Sequence, residues 1–276
     1  HPHLQDGAAF IDVDDDGGGG NARRELASYE DIFRQRVVRE GIEALFHTKP
    51  GLATQVVLVP SLQDAFHDAV FPQPPFAAGD APSPDGGGAD TGPAVDEAAA
   101  ERLGLTPALL AGACPRVRLA SNPCRISINE IVLAVSTNDI LLHLSREEVA
   151  DATRSVGAGG GGRMARLVGH LLRQRSFYPL LPPAEGANLE WRMRRHWQLA
   201  QAPDVLLLPS RMTPFARDVD GCLAVNPGAL ARGAHGGTFA QLHLHPMKRE
   251  ELEASADDEP LPHGVPKRTR VDIVRI

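Results

Sequence analysis

A chain of 276 residues with 42% hydrophobic content can bury a substantial core, as one large domain or two small ones. No run approaches the roughly 18 apolar residues that cross a bilayer, and His1-Pro2-His3 lacks the charged-then-apolar layout of a signal peptide, so membrane and secretory readings drop out. The formal net charge of −7 argues against a stand-alone nucleic-acid binder, because phosphate affinity comes from clustered Lys and Arg.

The chain opens without Met, and its first ordered-looking segment is read at Arg23, so a fragment with its upstream part missing is expected. Stretches 13–22, 77–100, 157–162 and about 247–268 are too rich in Gly, Pro or acid to bury surface and read as loop or disordered insertions. Between them, Ser28-x-x-Asp31 gives a capping-box start to an amphipathic helix over 28–46. Gln55–Val59 is a continuously apolar strand ended by Pro60, the pattern of a strand covered on both faces.

Ile126, Ile128 and the Ile131–Val135 run predict a hairpin around Asn129-Glu130. A helix is expected from Ser145, with Glu148 as reciprocal cap, and another over Met164–Arg175. Asp204–Leu208 and Cys222–Val225 read as buried strands, and Thr238–His245 and Val271–Ile276 as alternating sheet members. This mixture predicts a layered α/β domain.

Sites in open α/β folds sit at the carboxyl ends of strands, which directs attention to Val59-Pro-Ser61, Leu208-Pro-Ser210 and Val225-Asn-Pro-Gly228. These offer Ser61 with Asp64, Ser210, and Asn226, but neither serine has a Gly-x-Ser-x-Gly elbow, and Pro-Ser after a strand reads as a turn or helix cap. Of 11 histidines, His243-Leu-His245 has a spacing that puts two imidazoles on one strand face; without partner ligands it reads as a surface pair. His67 beside Asp64 and Asp68 could in isolation serve a hard metal or a general base, yet the flanking Pro72-Gln-Pro-Pro75 favours a shaped loop. Cys114, Cys124 and Cys222 are too few and too scattered for a disulfide framework, which favours a reducing compartment. The basic clusters Arg192-Met-Arg-Arg195 and Lys267-Arg-Thr-Arg270 read as a solvated face and a loop. No catalytic, cofactor-binding or metal residue is assigned.

In chain order, Val59-Pro-Ser-Leu-Gln-Asp64, Val70-Phe-Pro-Gln-Pro-Pro-Phe76, Ser121-Asn-Pro-Cys124, Ser136-Thr-Asn-Asp-Ile140, Gln174-Arg-Ser-Phe-Tyr-Pro179, Asp204–Ser210, Val225-Asn-Pro-Gly228 and Gly236-Gly-Thr-Phe239 resemble the DNA polymerase α B-subunit family. The match runs over residues 29 to 276, and Val271–Ile276 is similar to the family's C-terminus. The resemblance implies a calcineurin-like metallophosphoesterase fold, two mixed sheets flanked by helices, inactivated, with its N-terminal strands upstream of His1. It implies one phosphoesterase-like domain over 1–276.

Active members of that wider fold carry Gly-Asn-His-Asp after the strand matching Val56–Val59, where this chain has Ser61-Leu62-Gln63-Asp64. Their Gly-His-x-His is matched by Asn226-Pro227-Gly228-Ala229. An aliphatic residue and an amide cannot assemble two-metal hydrolysis. The function implied is a non-catalytic accessory subunit of the nuclear polymerase α–primase complex, held to the C-terminal domain of the catalytic subunit, linked through it to primase, and meeting DNA indirectly during primer synthesis. Two alternatives stay open: a metal-dependent phosphoesterase or nuclease using Asp64, His67, His243 and His245, and the B subunit of polymerase δ or ε. Pro60-Ser61-Leu62 and Val225-Asn-Pro-Gly228 match the α version better.

Overall fold

The computed structural model describes residues 10–13, 23–79, 95–111, 115–149, 162–233, 235–248 and 263–276. It divides into two compact units, residues 1–68 with 74–120, and residues 69–73 with 121–276.

The first unit begins with strands Phe10–Val13 (β1) and Arg23–Leu26 (β2), paired antiparallel. Ordered structure thus starts ahead of Arg23, and Val13 is a strand residue; positions 14–22 of the expected insertion lie outside the described residues. Ser28 forms the expected capping box, its Oγ accepting the Asp31 N–H at 3.1 Å while the Asp31 carboxylate accepts the Ser28 N–H at 3.2 Å. The helical run that follows comprises Tyr29–Ile32, Phe33–Glu43 and Ala44–Thr48 (together α1). Its middle is π-helical, and the Ala44 N–H reaches back five residues to the Arg39 carbonyl.

Val38 and Ile42, four residues apart on one side of α1, enter a core with Phe76, Ala100, Leu105, Leu109 and Val117. Phe33, Phe66 and Phe76 meet pairwise at centroid distances of 5.4 to 5.7 Å. Strand Val56–Leu58 (β3) pairs in parallel with Val117–Leu119 (β4). The expectation of cover on both faces of β3 fails, because Val57 is 36% exposed. The 77–100 stretch is not all loop either. Val95 bridges to Ala78, and Glu97–Arg102 (α2) starts where the Asp96 carboxylate accepts the Ala98 N–H at 3.0 Å. A run of strong helix formers after an N-cap decides that end, against the Gly- and Asp-rich composition preceding it. A short helix, Pro107–Leu110 (α3), buries Leu109.

The second unit is built on a five-stranded mixed sheet. Its strands are Cys124–Ile128 (β5), Ile131–Val135 (β6), Val205–Leu207 (β7), Phe215–Val219 (β8) and Cys222–Asn226 (β9), in the order β5-β6-β7-β9-β8. β6, β7 and β9 run parallel in the centre, and the edges β5 and β8 are antiparallel. The expected hairpin is present, with Asn129 at φ +53° making the left-handed turn. Between β6 and β7 the chain makes helices Ile140–Glu147 (α4) and Arg163–Gln174 (α5), which pack on each other while α5 also meets β8.

α4 begins before Ser145. Asp139 is its N-cap, with Oδ1 accepting the Leu142 N–H at 3.2 Å, and Ser145 sits inside the helix with its hydroxyl donating to the Leu142 carbonyl. Glu148, expected as a cap, instead binds Arg163 at 2.7 Å and Arg166 at 2.9 Å across to α5. The Arg163 hydrogen bond is the main influence holding that carboxyl below the usual range.

Strands Ala231–Arg232 (β10) and His235–Gly236 (β11) form a small ribbon, followed by Thr238–Leu244 (β12) and Thr269–Arg275 (β13), paired antiparallel. Val265, in the short helix Val265–Arg268 (α6), is 1% exposed and joins Ile131, Val205, Leu223 and Val225 in one core, with Ala240, Leu242 and Val271 packed against it. Of the expected 247–268 loop, positions 249–262 lie outside the described residues, and 265–268 are helical, with an apolar side chain meeting the sheet. The opposite sheet face carries Ala134, Leu206 and Ala224, all fully buried, so the central strands are covered on both sides.

Candidate functional site

Because β6, β7 and β9 are parallel, their carboxyl ends share one edge, where Ser136, Ser210 and Asn226 stand. Asn226 is 0% exposed, and its amide is fully used within the chain. Oδ1 accepts the Ser210 and Gly228 N–H groups, both at 2.9 Å, and Nδ2 donates to the Met212 and Thr213 carbonyls, both at 3.2 Å. The Ser210 hydroxyl accepts the Met212 N–H at 3.1 Å, so this serine caps a turn and is not presented as a nucleophile. Asp139 bridges the same edge: one carboxylate oxygen caps α4 and the other accepts the Arg211 N–H at 3.0 Å. Ser136 Oγ is buried and is the one buried side-chain polar atom without a partner among the described residues.

A second polar clamp lies in the same unit. The Asn122 Nδ2 donates to Gln73 Oε1 at 2.8 Å, Asn122 Oδ1 accepts the Thr137 N–H at 3.0 Å, and the backbones of Gln73 and Asn122 pair as a bridge. Gln73 and Asn122 are 1% and 0% exposed, so the Pro-Gln-Pro and Ser-Asn-Pro motifs meet in a satisfied interior contact.

In the first unit, the loop after β3 closes on itself. Asp64 Oδ2 accepts the Ser61 N–H at 2.6 Å, the Asp64 N–H returns to the Ser61 carbonyl, and Ser61 Oγ accepts the Gln63 N–H. Burial is the largest influence on the Asp64 carboxyl and pushes it above its ordinary value; the Ser61 amide and His67 pull the other way. His67 hydrogen-bonds through Nε2 to the Pro74 carbonyl at 2.9 Å and packs its ring on Phe76. It lines a cavity of about 230 Å³ with Glu30, Asp68, Asp96 and Arg102. On β12, His243 is solvent-exposed, 3.9 Å from Asp272, which Arg270 binds at 2.9 Å. Among the described residues no three His, Cys, Asp or Glu side chains are grouped to hold a metal ion.

Cys222 is 1% exposed, and burial first, then Asp204 and Asp218, push its thiol up to about 12; burial alone pushes Cys124 up to about 11. The thiolate is the reactive form, so both cysteines are expected to alkylate with iodoacetamide at pH 8 at least about a hundredfold more slowly than in guanidinium. Peptide mass spectrometry checks this, and native labelling at the denatured rate would contradict it. Cys114 lies outside the described residues.

The family model described as the DNA polymerase alpha/epsilon B subunit matches residues 28–217. The chain belongs to this family. The DNA polymerase alpha B subunit of Rattus norvegicus is 33% identical over 219 residues, covering 78% of this chain and 30% of that protein. The Schizosaccharomyces pombe protein of the same name is 38% identical over 164 residues, 56% of this chain and 27% of its own length. The Drosophila melanogaster one is 30% identical over 224 residues, 80% and 29% respectively. The chain thus spans under a third of the curated relatives it matches, and the resemblance to the α-type B subunit is borne out.

Within the span matched to the B-subunit family lie the Ser61–Asp64 loop, the Gln73–Asn122 clamp, Asp139 and Ser210, while Asn226 and Gly228 stand beyond it. The sequence offers Asn226 as a strand-end position matched to the lost Gly-His-x-His, and gives Gln73, Asn122 and Asp139 no role. Their shared signal is an amide or carboxylate next to a strand end or a proline, and their non-local partners lie 13 to 72 residues away.

Proposed function

We propose that this chain is the phosphoesterase-like part of a non-catalytic accessory subunit of polymerase α–primase, which holds the C-terminal domain of the catalytic subunit and supports primer synthesis in the nucleus. The observation that carries the reading is that Asn226, Ser210 and Asp139 at the strand ends are engaged in hydrogen bonds within a chain of the B-subunit family. Its fold would be an inactivated calcineurin-like one, with 1–276 forming a single such domain. The mixed α/β architecture and the parallel centre of the sheet are compatible with this.

A two-metal hydrolytic site does not fit the residues present. Where such a site needs exposed imidazole and carboxylate donors, Asn226 is turned inward with both amide atoms engaged, Leu62 and Gln63 offer no strong ligand, and Asp64 is folded onto Ser61. Primase would be reached through the catalytic subunit.

Affinity capture tests the reading: the full-length subunit carrying this chain is expected to be retained by the catalytic subunit's C-terminal domain and to give no manganese-dependent hydrolysis of a generic phosphodiester. Hydrolysis abolished by His243→Ala would favour the nuclease alternative instead.

A further inference from the structure

The two basic clusters have different fates. Arg268 is built into the fold, donating to the His263 and His245 carbonyls at 2.8 and 2.9 Å and pairing with Glu130 at 3.4 Å, and Arg270 is held by Asp272. Arg192, Arg194 and Arg195 are exposed and form no ion pair among the described residues. They lie on a short 3₁₀ segment, Trp191–Trp197, whose other exposed side chains include Trp191 at 47% and Met193 at 44%. The nearest acidic residue in sequence, Glu190, is used as the segment's N-cap, accepting the Arg192 N–H at 3.1 Å.

The segment is an anchored platform. At its start, Leu189 bridges to Phe71 and the Glu190 N–H donates to the Phe71 carbonyl at 2.9 Å. At its end, Ser176 bridges to Gln198, and the Phe177 and Leu199 N–H groups bond to Trp197 and Arg175, each at 2.8 Å. Trp191 stands edge-on to Trp197 at 5.6 Å; Trp197, 4% exposed, stacks on the fully buried Phe71 at 5.7 Å. An exposed indole on a buried aromatic base loses little freedom when it binds, and the exposed guanidinium groups beside it give up no ion-pair partner among the described residues.

We propose that Trp191 with Arg192, Arg194 and Arg195 is a direct contact for single-stranded nucleic acid. Apolar and cationic groups alternate from Trp191 to Arg194, with Arg195 adding a further cation, as base and phosphate alternate along a single strand; duplex would offer the phosphates but keep its bases stacked away from the indole. An acidic peptide would engage the arginines and leave the indole without a stacking partner. The −7 charge of the whole chain makes this a local contact that adds to an assembly rather than an autonomous binding domain. It goes beyond the accessory-subunit reading and can fail while that reading stands.

The test is fluorescence anisotropy of labelled oligo(dT) with the full-length subunit at 50 and 200 mM salt. The wild type is expected to prefer single strand over duplex of the same length. Replacing all three arginines by Ala should weaken binding at least tenfold and reduce the salt slope by about 2, at roughly 0.7 per phosphate contact on a single strand. Trp191→Ala should weaken binding about tenfold with the slope unchanged, and Trp191→Phe, which keeps a ring on Trp197, should recover most of it. Photo-crosslinking of an iodouracil-substituted strand to wild-type protein should mark the peptide that contains Trp191. Binding of the triple-arginine variant within twofold of wild type, displacement of oligo(dT) by polyglutamate at equal charge, or adducts elsewhere only would overturn the proposal.

Discussion

Asn226→Ala is expected to lower the stability of the protein by about 3–4 kcal/mol and its Tm by roughly 6–15 °C. The truncation leaves the Ser210 and Gly228 N–H groups unmet in a site with no solvent access and removes two donors from the Met212 and Thr213 carbonyls. Each buried group left unpaired costs about 1–3 kcal/mol, so the loss is concentrated at one residue, where the 210–213 stretch meets the turn after β9. Asn226→Asp makes a sharper test. Its carboxylate can still accept both N–H groups but cannot donate, and it buries a charge, so that variant should also be destabilised near neutral pH. Its deficit should narrow as pH falls and the carboxyl takes a proton, which restores a donor. Differential scanning fluorimetry across pH 5–8 reads both effects, and a Tm within 2 °C of wild type for Asn226→Ala would show that this amide does not hold the sheet edge.

Gly228→Ala is expected to cost about 3 kcal/mol. Gly228 has φ +78°, in the left-handed region where an L side chain is strained, and an added Cβ would collide with the Thr238 hydroxyl and come within 3.1 Å of Pro214. The Thr238 hydroxyl cannot simply turn away, since it donates to the Pro227 carbonyl at 2.7 Å. Thr238→Ala alone should cost about 1 kcal/mol for that hydrogen bond, and the double variant should be less destabilised than the sum of the singles by about 1 kcal/mol, because the second change relieves the collision. Urea denaturation of the four proteins closes the cycle; strict additivity would mean that backbone strain alone sets the cost.

What the sequence made legible was local. The Ser28–Asp31 capping box needs only four residues, and the apolar cores of β6, β7 and β9 need only composition, so both were readable without knowledge of the fold. Ser145-x-x-Glu148 has the same local form as a capping box but fails, because Asp139 is stabilised by the Arg211 N–H, 72 residues away, and Glu148 is drawn off by arginines of α5. β8 was not readable, since an edge strand buried only at Phe215 and Val219 has exposed Ala216, Arg217 and Asp218 between them. The site divides in the same way. The loss of strong ligands at Ser61–Asp64 and Asn226–Ala229 could be read residue by residue, whereas the inward use of Asn226 and the Gln73–Asn122 clamp depends on contacts that no local pattern encodes.

The most direct measurement is retention of the full-length subunit on immobilised C-terminal domain of the polymerase α catalytic subunit, with the δ and ε counterparts as soluble competitors. Retention that survives both competitors is the expected result; binding to a δ or ε domain in preference to α, or to none of the three, would contradict the assignment to polymerase α.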